Sequence, residues 1–207
     1  MEPQSMIRLL LIGFLCLVSP IIFANNTQYQ IELLVYTHMT TATLSLEQWS
    51  VIPAVENPIT DNATTPTFTS IDPEKFILKK EVAALAKQPE YQVIYHAAWQ
   101  TSAYALANTQ TLYITNGTSD LSGAELNGNF KISLDRYFNT RLQLYLNEPT
   151  SLLKKLSNNT VFDKAGDTFH FSLNQSRRMR SDELNLIAQP VFGVLMKIIP
   201  IKTNKNS

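Results

Sequence analysis

The sequence predicts an α+β fold: a single domain built on a mainly antiparallel β-sheet, with one clear helix and a long Thr/Pro-rich loop. Residues 29–37, 91–99 and 169–173 alternate apolar and polar side chains at the period of a half-buried strand. Asp72-Pro73, followed by apolar residues at helical spacing up to Gln88 and a stop at Pro89, marks a helix. Between Ser50 and Asp72 the chain is rich in Thr, Asn and Pro and holds no sustained period, as a long loop would.

The elements follow in chain order. In residues 29–37, Ile31, Leu33 and Val35 share one face, while Glu32 lies on the other with Leu34 and Tyr36 at a partly covered position. Trp49, at the loop entrance, is expected to plug the edge of the core, with sugar stacking as the alternative. On the helix, Phe76, Ile77, Val82, Ala84 and Leu85 supply the apolar positions, and Lys79, Lys80 and Lys87 form a solvated side. In the next strand His96 points opposite Trp99, because the two are an odd number of residues apart. Residues 111–115 read as a short strand ended by Asn116-Gly117.

Residues 129–146 read as two strands with a corner at Asn139-Thr140. A short helix over 151–156 and a turn over 164–167 come next. Residues 191–199, almost continuously apolar, are expected to form a central strand covered on both faces.

The first 24 residues have the order of a cleaved signal peptide: Arg8, an apolar run over 9–18, and Ala24 before Asn25. Residues 25–207 then form the exported domain. The apolar run is broken by Pro20 and is shorter than the about 20 residues a spanning helix prefers, so no permanent membrane anchor is expected. The single cysteine, Cys16, falls in the leader behind Leu15, where lipidation would require a small residue. The exported chain thus has no thiol, which excludes disulfides, thiolate catalysis and cysteine metal ligation. An exported chain without disulfides fits a bacterial periplasm; sequons at Asn62, Asn116 and Asn174 carry the contrary reading of a secreted eukaryotic glycoprotein. Charge is balanced, 17 basic against 17 acidic, so nothing draws the chain bodily to nucleic acid or anionic lipid.

The three histidines, His38, His96 and His170, sit in separate segments without metal spacing, and no GxSxG, P-loop or GxGxxG motif is present. No enzyme activity, cofactor or metal is therefore expected. The candidate chemistry is a guanidinium cluster, Arg177, Arg178 and Arg180, at the end of the strand carrying Phe169, Phe171 and Leu173. A planar fork of donors suits carboxylates; the structural alternative is ion pairing with Asp182 and Glu183. Arg136 and Tyr137, after Asp135, have the same two readings. His96 either joins Arg136, Arg178 and Arg180 at a polar groove for a carboxylate, or is a hydrogen-bonded sheet histidine.

RRMRSDEL followed by QPVFGVLMKIIP resembles the C-terminal signature of CsiV-type periplasmic proteins of Gram-negative bacteria. YQIELLVYT, EQW at Trp49, YQVIYHAAW around His96 and Trp99, and GNFKISLDRYFNTRLQL around Arg136 are similar to the family's upstream pattern, in order. The chain departs from it at Gln100, Thr101, Asn185, Leu186 and Gln189. The resemblance implies a non-catalytic periplasmic protein that binds peptidoglycan and supports cell-wall synthesis and cell shape. Its implied partner is an LpoA-like outer-membrane lipoprotein activator of a class A penicillin-binding synthase. The arginines beside Trp99 or Tyr137 would suit stem-peptide carboxylates and apolar sugar faces. Two other readings stand beside it: a protein-protein scaffold without direct wall binding, and a weak wall hydrolase or amidase.

Overall fold

A computed structural model of the chain describes residues 27–46, 48–51, 67–117 and 124–202. The chain runs through β1 (Gln28–His38), α1 (Thr41–Leu46), β2 (Thr69–Ser70), a 3-10 turn (Pro73–Lys75), α2 (Lys79–Leu85), β3 (Tyr91–Ser102) and α3 (Ala103–Leu106). It continues through β4 (Gln110–Thr115), β5 (Glu125–Leu134), β6 (Phe138–Pro149), α4 (Thr150–Leu156), a second 3-10 turn (Thr160–Lys164), β7 (Thr168–Met179), β8 (Leu184–Ala188) and β9 (Phe192–Ile201). The expected antiparallel architecture is present, divided into two sheets: β2-β3-β1-β9-β8 and β4-β5-β6-β7.

Strict alternation builds both sheets. Ile31, Leu33 and Val35 on β1 and Val194, Met196 and Ile198 on β9 turn inward, to meet Leu126, Phe130 and Ile132 on β5, the even-numbered leucines of β6, and Phe169, Phe171 and Leu173 on β7. All are buried in one core, where each large side chain contributes about 1.5–3 kcal/mol. Trp49 stands edge-on to Phe171 at 4.9 Å and donates its indole N–H to the Leu44 carbonyl, so it plugs the core edge.

The structure redraws several boundaries. Asp72 does cap, accepting from the Glu74 N–H at 2.8 Å with Pro73 behind it, but the helix so begun lasts one 3-10 turn. The break over 76–78 has a cause in the sheet: the Glu32 carboxylate accepts the backbone N–H groups of Ile77 (2.7 Å) and Leu78 (2.8 Å), and α2 restarts only at Lys79.

The β5–β6 corner lies at Asp135, Arg136 and Tyr137, closed by the Asp135 N–H on the Tyr137 carbonyl. Asn139 and Thr140 belong to β6, because burying Phe138 opposite Leu134 outweighs their turn preference. β9 is an interior strand as expected, yet only its core face is sealed; Leu195, Lys197 and Ile199 on the other face are half-buried. Of the long loop, Thr69 and Ser70 pair with Gln100 and Trp99, whereas residues 52–66 and the leader over 1–24 lie outside the described residues.

Candidate functional site

The expected arginine cluster is assembled by two local features. The tight corner after β5 puts Arg136 and Tyr137 at a hairpin tip. The β6–β7 register, Phe138 against Met179 and Asn139 against Arg178, then carries the end of β7 alongside that tip. Three guanidiniums gather on one phenol ring: Arg178 with its Cζ 4.0 Å from the Tyr137 centroid, Arg136 at 5.6 Å and Arg180 at 5.7 Å. The ring quadrupole attracts each cation by about 0.5–1 kcal/mol at an exposed site.

Below the cluster, Phe138 and Met179 are buried and Tyr29 stacks edge-on against Phe138 at 5.0 Å. A cavity of ≈ 370 Å³ opens here, lined among others by Tyr29, Arg136, Tyr137, Arg180 and Ser181.

Among the described residues the cluster has no counter-ions. The salt bridges among the described residues are His96–Glu32 and Lys154–Asp163, so none of the cluster's guanidiniums is held by an acid. Asp182 and Glu183 do not take the structural role that they offered. Asp182 instead adopts a left-handed backbone, φ 65°, and donates its N–H to the Ile198 carbonyl. Arg177 is not among the cations gathered over the ring; it reaches the Gln175 side-chain oxygen at 3.5 Å, and its carbonyl accepts from the Thr140 hydroxyl.

His96 and Trp99 are elsewhere. Both lie on β3 in the other sheet, facing opposite ways as alternation requires. His96 Nε2 sits 2.7 Å from Glu32 Oε1 beneath the segment leading into α2, with the Phe76 ring 4.5 Å away. Trp99 packs against the core. Of the seven candidate residues, the structure thus brings Arg136, Tyr137, Arg178 and Arg180 together, sets Arg177 next to them, and leaves His96 and Trp99 apart.

Two cations that the sequence reading did not nominate, Lys131 and Arg141, stand directly opposite each other on β5 and β6, next along the sheet from Arg178. The signal was the hairpin register: a corner at Asn139-Thr140 would set Lys131 against Glu148, whereas the observed corner sets it against Arg141.

The histidines are not convergent. His38 stacks on Tyr91, His96 pairs with Glu32, and His170 Nδ1 meets the Asn147 side-chain oxygen at 2.7 Å. Burial lowers the His170 pKa, and the nearby Glu125 charge opposes that shift. Among the described residues no three metal-ligating side chains are gathered.

The two-sheet antiparallel domain carries a cationic surface backed by an aromatic ring and, among the described residues, without an acidic partner, and that surface has the chemistry of a binding protein rather than of a catalytic centre. The family model described as peptidoglycan-binding protein, CsiV, matches residues 6–201, and the chain belongs to that family. A peptidoglycan-binding family is an extracytoplasmic one, and no helix among the described residues is long and apolar enough to cross a membrane. No curated protein and no solved structure matches the chain.

Proposed function

We propose that the chain is a non-catalytic periplasmic accessory protein, exported by its leader, that holds peptidoglycan through the stem-peptide carboxylates and supports a class A penicillin-binding synthase together with its lipoprotein activator. The observation that carries this reading is the gathering of Arg136, Arg178 and Arg180 on Tyr137 with no carboxylate partner among the described residues. Like charges held together without counter-ions repel, and an anionic ligand relieves that repulsion. The phenol ring between them offers a flat apolar edge beside the charges.

The protein-partner half of the reading is supported by β8. This edge strand displays Leu184 and Leu186, 47% and 55% exposed, beside a backbone edge that pairs with no other strand among the described residues. Exposed apolar edge strands are the surfaces that proteins use to add a strand from a partner.

Co-sedimentation of the chain from Asn25 to Ser207 with isolated sacculi tests the reading. The wild type is expected to pellet saturably, and Arg178→Ala with Arg180→Ala to lose at least about tenfold in affinity with its melting transition retained. A folded double variant that pellets like the wild type would refute the site. Release of muropeptides from sacculi by the wild type, abolished by changing one carboxylate, would instead favour the hydrolase reading.

A further inference from the structure

The outward face of the second sheet holds a cleft separate from the Tyr137 cavity. Lys131 on β5 and Arg141 on β6 are directly opposed, and Arg141 is in turn opposed to Ser176 on β7. One step towards the corner, Asn139 is opposed to Arg178. Around them is a cavity of ≈ 380 Å³, to which Arg177 also contributes, and among the described residues no acidic side chain lines it. Directly opposed side chains on antiparallel strands have Cβ atoms about 4.5–5.5 Å apart, and like charges there destabilise the pair. The chain therefore carries an unfavourable cation pair on an outer face where Ser, Asn or Thr would fold better. Among the described residues neither cation has a salt bridge to offset it.

We propose that this cleft is a second anion site, for an oxyanion held between the Lys131 ammonium and the Arg141 and Arg178 guanidiniums, with Asn139 and Ser176 supplying neutral hydrogen bonds. Arg178 belongs to both places: it lies over the Tyr137 ring and lines the cleft. Tyr137 lines the first cavity and Arg178 the second, so their contact joins the two, and a ligand with two anionic groups reaches both across it. Resting on the wall-binding reading, the ligand class becomes a peptide carrying at least two carboxylates, one for each cavity. The same three cations also suit a phosphate, which the wall's lipid-linked precursors carry.

The test uses the same protein and a variant in which Lys131→Gln and Arg141→Gln are combined, titrated calorimetrically with a stem tetrapeptide and, separately, with inorganic pyrophosphate. A tetrapeptide affinity at least tenfold weaker in the variant supports the site with a carboxylate ligand; the same loss for pyrophosphate supports it with a phosphate ligand. The ligand-free variant is expected to melt at a higher temperature than the wild type, since the repulsion is gone; a purely structural role for the two side chains would lower it. Equal binding by variant and wild type, or no binding of either probe by the wild type, overturns the site. Sacculi that fail to pellet the wild type while pyrophosphate still binds the cleft would remove the wall reading alone. Normal pelleting with both probes unbound would remove the cleft alone.

Discussion

Glu148 stands at the inward-facing end of β6, opposite Phe169 and 2% exposed, and burial pushes its carboxyl up from 4.5 to about 7. Between those two values the folded chain holds a proton that the unfolded chain has released, so stability falls as pH rises through the window and does not recover above it. The loss by pH 8 is on the order of 3 kcal/mol. Glu148→Gln keeps a neutral side chain at every pH. It is expected to melt near the wild type at pH 4.5 and well above it at pH 8; parallel melting curves across that range would disprove the assignment. Alternation in the sequence placed the leucines of β6 inward, and Glu148 continues their parity. Its polarity concealed that position, because a carboxylate at a strand end ordinarily turns to solvent.

At the scale of elements, the informative joint is the one between β1 and α2. Glu32 is fully buried and accepts from the Ile77 and Leu78 N–H groups, from the Gln30 amide at 3.1 Å, and faces His96. It therefore caps the approach to α2 from across the sheet, doing for that helix what no side chain of its own N-terminus does. Glu32→Ala strands two backbone donors and a histidine, and is expected to cost about 3 kcal/mol or more in chemical denaturation. His96→Gln, far from the arginines in the other sheet, is expected to leave sacculus binding within twofold of the wild type; a larger drop would bring His96 back to the ligand.

The helix and the strands were legible from period and caps, since those signals are local. The break over 76–78 was not, because its cause is a carboxylate more than forty residues earlier. The β5–β6 corner was misplaced for a related reason: Asn139-Thr140 carries better turn chemistry than Asp135 to Tyr137, and only the burial of Phe138 decides between them. With the corner went the register, and with the register the opposition of Lys131 and Arg141.

For the whole molecule, the balance of 17 basic and 17 acidic residues conceals a sharply uneven surface. Net charge gives no long-range pull, so attraction to an anionic ligand is local, and the proposed sites put it at the corner and the outer sheet face. Raising salt shortens the Debye length from about 10 Å at 0.1 M to about 3 Å at 1 M. Sacculus binding is therefore expected to weaken several-fold between 0.05 and 0.5 M salt, both values on the order used in such assays. The melting temperature should hold or rise over the same range as the unpaired cations are screened from one another. Binding that is indifferent to salt would exclude carboxylate pairing as its basis. Division of the strands into two sheets was beyond the sequence, since alternation tells which side chains share a face but not that β1 finds its partners in β3 and β9.

The pairing of β1 with β9 sets Gln28 beside Ile201 and Tyr29 beside Pro200. The first and last strands thus enter and leave the fold at one corner, and Tyr29 is also a wall of the cavity under Arg136 and Arg180. A linker fused directly at Gln28 or Ile201 starts from that corner, where acidic residues in it compete with the ligand for the same cations. Probes for this protein are better carried on the exposed face of α2, on the opposite side of the first sheet from the core, where Lys79 and Lys80 already face solvent.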